Sequence, residues 1–70
     1  MEKVDMKKTG SRLRELRKQS GKTIKEMAQE LNVSESSYAQ YEQGLKRPRD
    51  DVKCRIANYY NTSVQNIFFA

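Results

Sequence analysis

Apolar residues recur at spacings of three and four in several short segments of this 70-residue chain, which is the pattern of amphipathic helices. In SRLRELRKQS, residues 11–20, Leu13 and Leu16 share one face with the small Ser20. Gly21 follows at the position where glycine commonly ends a helix. The sequence therefore predicts a first helix over residues 11–20.

A capping box marks the start of a second helix. Thr23 and Glu26 have the spacing at which each side chain accepts a hydrogen bond from the other residue's backbone N–H. Apolar residues then follow at helical spacing: Ile24, Met27, Ala28 and Leu31. Asn32 tolerates the left-handed backbone of a tight turn, so the second helix is predicted to end there.

A third helix is predicted to begin after Ser34, a favoured N-cap residue. Tyr38 and Tyr41 are spaced to face inward, and Gly44 ends the helix. Proline in the loop LKRPR, residues 45–49, prevents the helix from continuing.

Asp50 or Asp51 can cap a fourth helix in DVKCRIANYY, and Ser63 can cap a short fifth one. The fourth helix would turn four residues toward the core: Val52, Ile56, Ala57 and Tyr60. The expected fold is all-α, a compact five-helix domain over residues 10–70 with no strand. Residues 1–9 show no periodicity and predict a flexible basic tail with Lys3, Lys7 and Lys8.

A formal net charge of +5 and a pI near 9.6 suit a nucleic acid or an anionic surface as partner. The basic residues are spread over several elements instead of lying opposite one broad apolar face, which disfavours a membrane-surface helix. No apolar run approaches the roughly 20 residues that span a bilayer, and no secretory signal is recognised. We expect a soluble cytoplasmic protein.

The chain has no histidine and one cysteine, Cys54. The usual zinc ligands and the commonest general base are therefore missing, and no intrachain disulfide can form. We expect no metal, no cofactor and no catalysis, with Cys54 a small half-buried residue on the fourth helix. From the length we expect one domain and no small-molecule effector domain.

Residues 24–41 combine two short helices with a three- or four-residue turn, the arrangement of a helix-turn-helix. Together with RLRELR, the YEQG ending, the KRP loop and IANYYNTSVQNIFF, this unit resembles the phage-repressor and Cro-like (XRE) family. The resemblance spans about residues 13–68. It implies a DNA-binding domain in which the second and third helices form the motif and the third enters the major groove. Proteins of this family commonly bind as dimers.

The resemblance also implies site residues. Base edges would be contacted by Glu35, Ser36, Ser37 and Gln40. Phosphates would be contacted by Lys25, Gln43, Lys46, Arg47 and Arg49. Arg17 and Glu42 occupy the positions of an ion pair that joins the first helix to the third.

Several roles stay open at this level. Glu35 either discriminates between bases or only stabilises the helix N-terminus. Ile24 replaces a glutamine that often binds phosphate in the family. The tail lysines are either an arm along the DNA or a solvated tail. The apolar end offers a dimer patch, unless its members complete the core of the monomer, the favoured role for two of them, Phe68 and Tyr60. The patch would comprise Ile67, Phe68 and Phe69 with Tyr59 or Tyr60.

These observations predict a sequence-specific transcriptional regulator, a repressor that binds a pseudo-palindromic operator in double-stranded DNA as a homodimer. The alternative is a protein-interaction module with the same fold, such as an antitoxin or an anti-regulator. That alternative stays open because residues 31–44 contain no lysine or arginine.

Overall fold

The structure is a computed structural model that describes residues 5–69. Five α-helices and no strand are found within this range, which confirms the predicted all-α fold. The helices are α1 (Met6–Ser20), α2 (Ile24–Leu31), α3 (Glu35–Gln43), α4 (Asp50–Tyr59) and α5 (Val64–Phe68). None of the helices in the described range is long and apolar enough to cross a membrane.

Most helix ends lie where the local chemistry places them. Gly21, Asn32 and Gly44 adopt the left-handed conformation, with φ of 73°, 57° and 74°, at the C-termini of α1, α2 and α3. Thr23 forms the predicted capping box at α2, and the Ser34 side chain accepts from a backbone N–H in the first turn of α3. These ends fix the length and direction of both helices of the motif.

The first helix begins earlier than the pattern predicted. The Asp5 carboxylate caps it by accepting from the backbone N–H groups of Lys7 and Lys8 at 3.0 and 3.2 Å. Thr9 and Gly10 are buried in the next turn. The prediction of a flexible tail over residues 1–9 is therefore wrong for residues 6–9, and residues 1–4, including Lys3, lie outside the described residues.

The interface between α1 and α3 explains the buried Gly10. A Cβ atom at this position would lie 2.8 Å from the carbonyl oxygen of Tyr41 and still closer to that of Glu42. Only glycine allows the two backbones to approach so closely. Because small residues occupy this contact, the first turn of α1 has no apolar periodicity.

Two expectations for α4 are also corrected. Arg49 is the N-cap residue and makes no side-chain capping bond, while Asp50 and Asp51 lie inside the first turn. Asp51 instead pairs with Arg55 one turn later, at 2.9 Å, and negative charge in the first turn complements the helix dipole. Cys54 is exposed and not half-buried, since it lies on the outer face of α4.

The core lies between all five helices and joins the motif to the rest of the domain. Ala28 is buried at 3% exposure, and its small side chain suits a close approach of α2 and α3. Of the four residues expected in the core from α4, three are buried and Tyr60 is half-buried. The core consists of Leu13, Met27, Ala28, Leu31, Tyr38, Tyr41, Val52, Ile56, Ala57, Ile67 and Phe68.

Candidate nucleic-acid interface

The turn between α2 and α3 is held by backbone and side-chain hydrogen bonds. The backbone N–H of Val33 donates to the carbonyl of Ala28 at 3.0 Å, and that of Asn32 to Gln29 at 3.2 Å. Arg55 reaches from α4 and donates to the carbonyl of Leu31 at 2.7 Å. Three of the last four carbonyls of α2 therefore have hydrogen-bond partners, and these bonds hold the turn between the two helices.

The inward face of α3 is apolar except for one acid. Tyr38 is fully buried, and its ring packs edge-to-face on Tyr41 with centroids 6.2 Å apart. The Tyr38 hydroxyl has no hydrogen-bond partner within residues 5–69. Burial raises the pKa of the Tyr38 phenol above its ordinary value, and the neighbouring Glu42 carboxylate adds to this. Both tyrosines belong to the core, as predicted.

Glu42 is the buried acid, and α1 supplies its counter-charge. Arg17 Nε lies 2.7 Å from Glu42 Oε2, and Arg17 Nη2 lies 3.1 Å from Oε1. The hydrogen bond to Glu42 raises the pKa of the Arg17 guanidinium, against the opposing effect of desolvation. Arg14 lies 3.7 Å from the same carboxylate. The pair named in the sequence thus connects α1 to α3 in a two-bond geometry.

The outward face of α3 is polar. Glu35 and Ser36 are exposed in its first turn, and Ser37 and Gln40 are half-buried farther along. All four residues expected to contact bases therefore lie on one short helix. Gln43 is exposed at the C-terminal end of the same helix.

Exposed cations lie on the segments that precede and follow this helix along the chain. Lys25 is exposed in the first turn of α2. In the capping box of the same turn, the hydrogen bond from the Thr23 backbone lowers the pKa of Glu26. Lys46, Arg47 and Arg49 are exposed in the loop after α3. A polar helix flanked by cations can place hydrogen-bonding groups in a groove while its neighbours contact phosphates.

This geometry is that of a DNA-binding helix-turn-helix, and the comparison with known families agrees. The family described as "Helix-turn-helix domain" matches residues 9–67. The chain belongs to the helix-turn-helix family of DNA-binding transcriptional regulators. This confirms the resemblance to phage-repressor and Cro-like proteins.

Two regulators of Bacillus subtilis (strain 168) are similar to this helix-turn-helix chain. The HTH-type transcriptional regulator ImmR is 37% identical over 54 residues, 77% of this chain and 42% of ImmR. The uncharacterised HTH-type transcriptional regulator YobD is 38% identical over 56 residues, 80% of this chain and 50% of YobD. The chain thus spans no more than half the length of these two relatives, which are named as regulators and not as enzymes.

A solved structure extends the similarity to the whole fold. The restriction-modification controller protein C.AhdI from Aeromonas hydrophila superposes with a TM-score of 0.83 at 25% identity. The match covers 91% of this chain and 97% of C.AhdI. The helix-turn-helix and the helices around it are therefore shared as one unit.

Three contacts of this helix-turn-helix domain were not found from the sequence. Lys46 Nζ lies 2.9 Å from Ser37 Oγ, so a loop cation reaches the outward face of α3. Arg12 donates to the carbonyl of Ile67, which joins α1 to α5. Arg55 holds the turn as described above. In the sequence, the only signal for Arg55 is its spacing of four from Asp51.

The apolar end divides into core and surface. Ile67 and Phe68 are 2% and 3% exposed, so the monomer itself buries them, as predicted for Phe68. Phe69 is 48% exposed, and the Lys53 ammonium lies 5.2 Å from its ring centroid. Of the predicted dimer patch, only Phe69 is exposed, beside the half-buried Tyr59 and Tyr60.

Proposed function

We propose that this chain is a sequence-specific transcriptional repressor that binds a pseudo-palindromic operator as a homodimer. In this proposal α3 enters the major groove and its outward side chains contact base edges: Glu35, Ser36, Ser37 and Gln40. Phosphates on both sides are contacted by Lys25, Gln43, Lys46, Arg47 and Arg49. Two copies would place their α3 helices about 34 Å apart, one turn of the duplex.

The arrangement of α3 supports this proposal most strongly. Its capped N-terminus and anchored inward face hold a short helix rigidly, and the exposed side chains include amides and hydroxyls that bond to base edges. Gln40 suits the N6 and N7 atoms of adenine, and Glu35 suits the N4 group of cytosine. The cations lie on the flanking segments, where phosphates pass on either side of the groove.

Binding-site selection from a random DNA library tests the proposal. We expect an enriched site with two-fold symmetry, bound at least roughly 10³-fold more tightly than scrambled DNA. Affinity should also fall steeply as salt rises, because each neutralised phosphate releases counterions. Sedimentation of the complex would give two chains per site. An enriched site without symmetry would contradict the homodimer.

Two substitutions separate base contacts from phosphate contacts. Gln40→Ala should relax preference at one base pair, at about 1–3 kcal/mol, and leave the salt dependence unchanged. Arg47→Ala should weaken binding to all sequences alike and reduce the slope of log affinity against log salt by about one. Equal losses for both variants on all DNA would contradict this division of roles.

The exposed Phe69 favours a second candidate function, a protein-interaction module in which the same fold binds another protein. Leu45, which is 70% exposed, adds apolar surface to that candidate. A domain used only in this way would show no salt-dependent binding to DNA. That result in the selection experiment would replace the first proposal by the second.

A further inference from the structure

Lys46 lies in the loop after α3, yet its ammonium group lies against the first half of that helix. Ser37 is the third residue of α3, and its Oγ accepts a hydrogen bond from Lys46 Nζ at 2.9 Å. Six residues of helix, about 9 Å at 1.5 Å per residue, separate Ser37 from the helix end at Gln43. The Lys46 side chain therefore runs back along α3 toward its N-terminal end.

This position differs from that of the other loop cations. Neither Arg47 nor Arg49 makes a side-chain hydrogen bond within residues 5–69, and both are exposed. Lys46 forms no ion pair with a carboxylate in the same range, so its charge stays available. In helix-turn-helix proteins the N-terminal residues of the recognition helix contact base edges. The ammonium group of Lys46 lies near that end of α3.

The hydrogen-bonding groups of this pair favour one base. A lysine ammonium has three donors and no acceptor, and one donor is directed to Ser37. The Ser37 hydroxyl keeps its own O–H for donation. Guanine offers two acceptors in the major groove, N7 and O6, whereas adenine offers one acceptor beside a donor. Two adjacent donors therefore match guanine best.

We propose that Lys46, positioned by Ser37, contacts a guanine and so determines sequence preference, in addition to or in place of any phosphate contact. This inference rests on the proposed DNA-binding function. Lys46 also brings a positive charge to the outward face of α3, whose own sequence contains no lysine or arginine.

The test begins with the site that the wild-type protein selects. Each G·C pair is replaced in turn by an A·T pair. In a second series, each guanine is replaced by 7-deazaguanine, which lacks the N7 acceptor. For one guanine per half-site, we expect both changes to weaken wild-type binding, the adenine change by about 10-fold or more. Lys46→Ala should bind the selected site and the two versions changed at that guanine within about 2-fold of one another, and Ser37→Ala should lose preference at the same guanine.

Arg47→Ala is the matched control, because it removes one positive charge from the neighbouring loop position. It should weaken every site and keep the guanine preference. If Lys46→Ala behaves in the same way, Lys46 is a phosphate contact and the inference is overturned while the proposed function stands. If the wild-type protein selects no site at all, the proposed function fails and the inference fails with it. Circular dichroism of each variant verifies that it is folded.

Discussion

Glu42 is the acidic residue whose replacement should reduce stability most. Its side chain is fully buried, whereas that of Arg17 is 14% exposed. The carboxylate accepts two hydrogen bonds from the guanidinium, at 2.7 and 3.1 Å. Replacing only one partner of a buried pair leaves a charge in the interior without compensation. Glu42→Gln preserves the shape of the side chain and removes only its charge, so it isolates this effect.

The structure sets the expected magnitude. Breaking a buried ion pair by changing one partner costs about 3–5 kcal/mol. Arg17 keeps its hydrogen bond to the carbonyl of Lys22 at 3.1 Å, and its partial exposure admits water. We therefore expect the lower end, a loss of about 3 kcal/mol. A domain of this size has a total stability of roughly 3.5–10 kcal/mol, so the loss is between about 30% and 85% of it.

Urea unfolding followed by far-UV circular dichroism measures this loss. The matched control is Asp51→Asn, which disrupts an ion pair whose side chains are 58% and 41% exposed. Exposed pairs contribute at most about 0.5–1 kcal/mol, so the control should unfold close to wild type. If the free energy of unfolding of Glu42→Gln were also within about 0.5 kcal/mol of the wild-type value, the Arg17–Glu42 pair would not be what holds α1 against α3.

Three further predictions concern stability. Gly10→Ala places a methyl group against the backbone carbonyl of Glu42, and should lower the free energy of unfolding by about 2 kcal/mol in urea. Tyr38→Phe removes a buried hydroxyl without a hydrogen-bond partner in residues 5–69, so the free energy of unfolding should stay unchanged or rise by up to about 1 kcal/mol. The hydrogen bond from the Thr23 backbone lowers the pKa of Glu26. The stability difference between wild type and Glu26→Gln should therefore be complete above the ordinary glutamate pKa, at roughly pH 5, and shrink as the pH falls through the depressed pKa of the folded state.

Each of these predictions has a result that would contradict it. Ser11→Ala, at the next and exposed position of α1, should change stability by less than about 0.5 kcal/mol, and a similar value for Gly10→Ala would refute the close approach of α1 and α3. A loss of more than about 1 kcal/mol in Tyr38→Phe would show that the hydroxyl has a partner. A Glu26→Gln difference that does not shrink at all as the pH falls below the ordinary glutamate pKa of about 4.3 would exclude the charged capping box as its cause.

The features predicted correctly from the sequence are those set by local chemistry. Left-handed positions at Gly21, Asn32 and Gly44 follow from the backbone preferences of glycine and asparagine, and the Thr23 capping box from a spacing of three residues. The first turn of α1 could not be found in this way. Gly10 is buried because it meets the carbonyl of Glu42, 32 positions away, and hydropathy carries no signal for such a contact.

The contacts of the candidate site were less predictable from local sequence patterns than the helix ends were. The Arg17–Glu42 pair was named through resemblance to a family, since no local pattern joins two residues so far apart. The contact of Lys46 with Ser37 depends on the path of an irregular loop, and no sequence rule gives that path. The capping of α4 was wrong because an aspartate can either cap a helix or pair with a cation one turn later. At Asp51 the structure shows the second.

The proposed contact of α3 with DNA has to be reconciled with the charges of its sequence. Residues 31–44 include two glutamates and no cation, which is unfavourable beside a polyanion. Glu42, however, points inward and is paired with Arg17, so only Glu35 stands on the outward face. Glu35 lies in the first turn, where the positive end of the helix dipole offsets part of its charge.

Lys46 returns a positive charge to the same face through its bond to Ser37. The outward face of α3 is therefore close to neutral, so in the proposed function non-specific attraction to DNA would fall mainly to the flanking cations. DNA of the wrong sequence would meet those cations and also the carboxylate of Glu35, with no base donor to compensate its desolvation. If α3 enters the major groove as proposed, Glu35 should lower affinity for non-operator DNA more than affinity for the operator, which is one way in which a small domain with few contacts gains specificity.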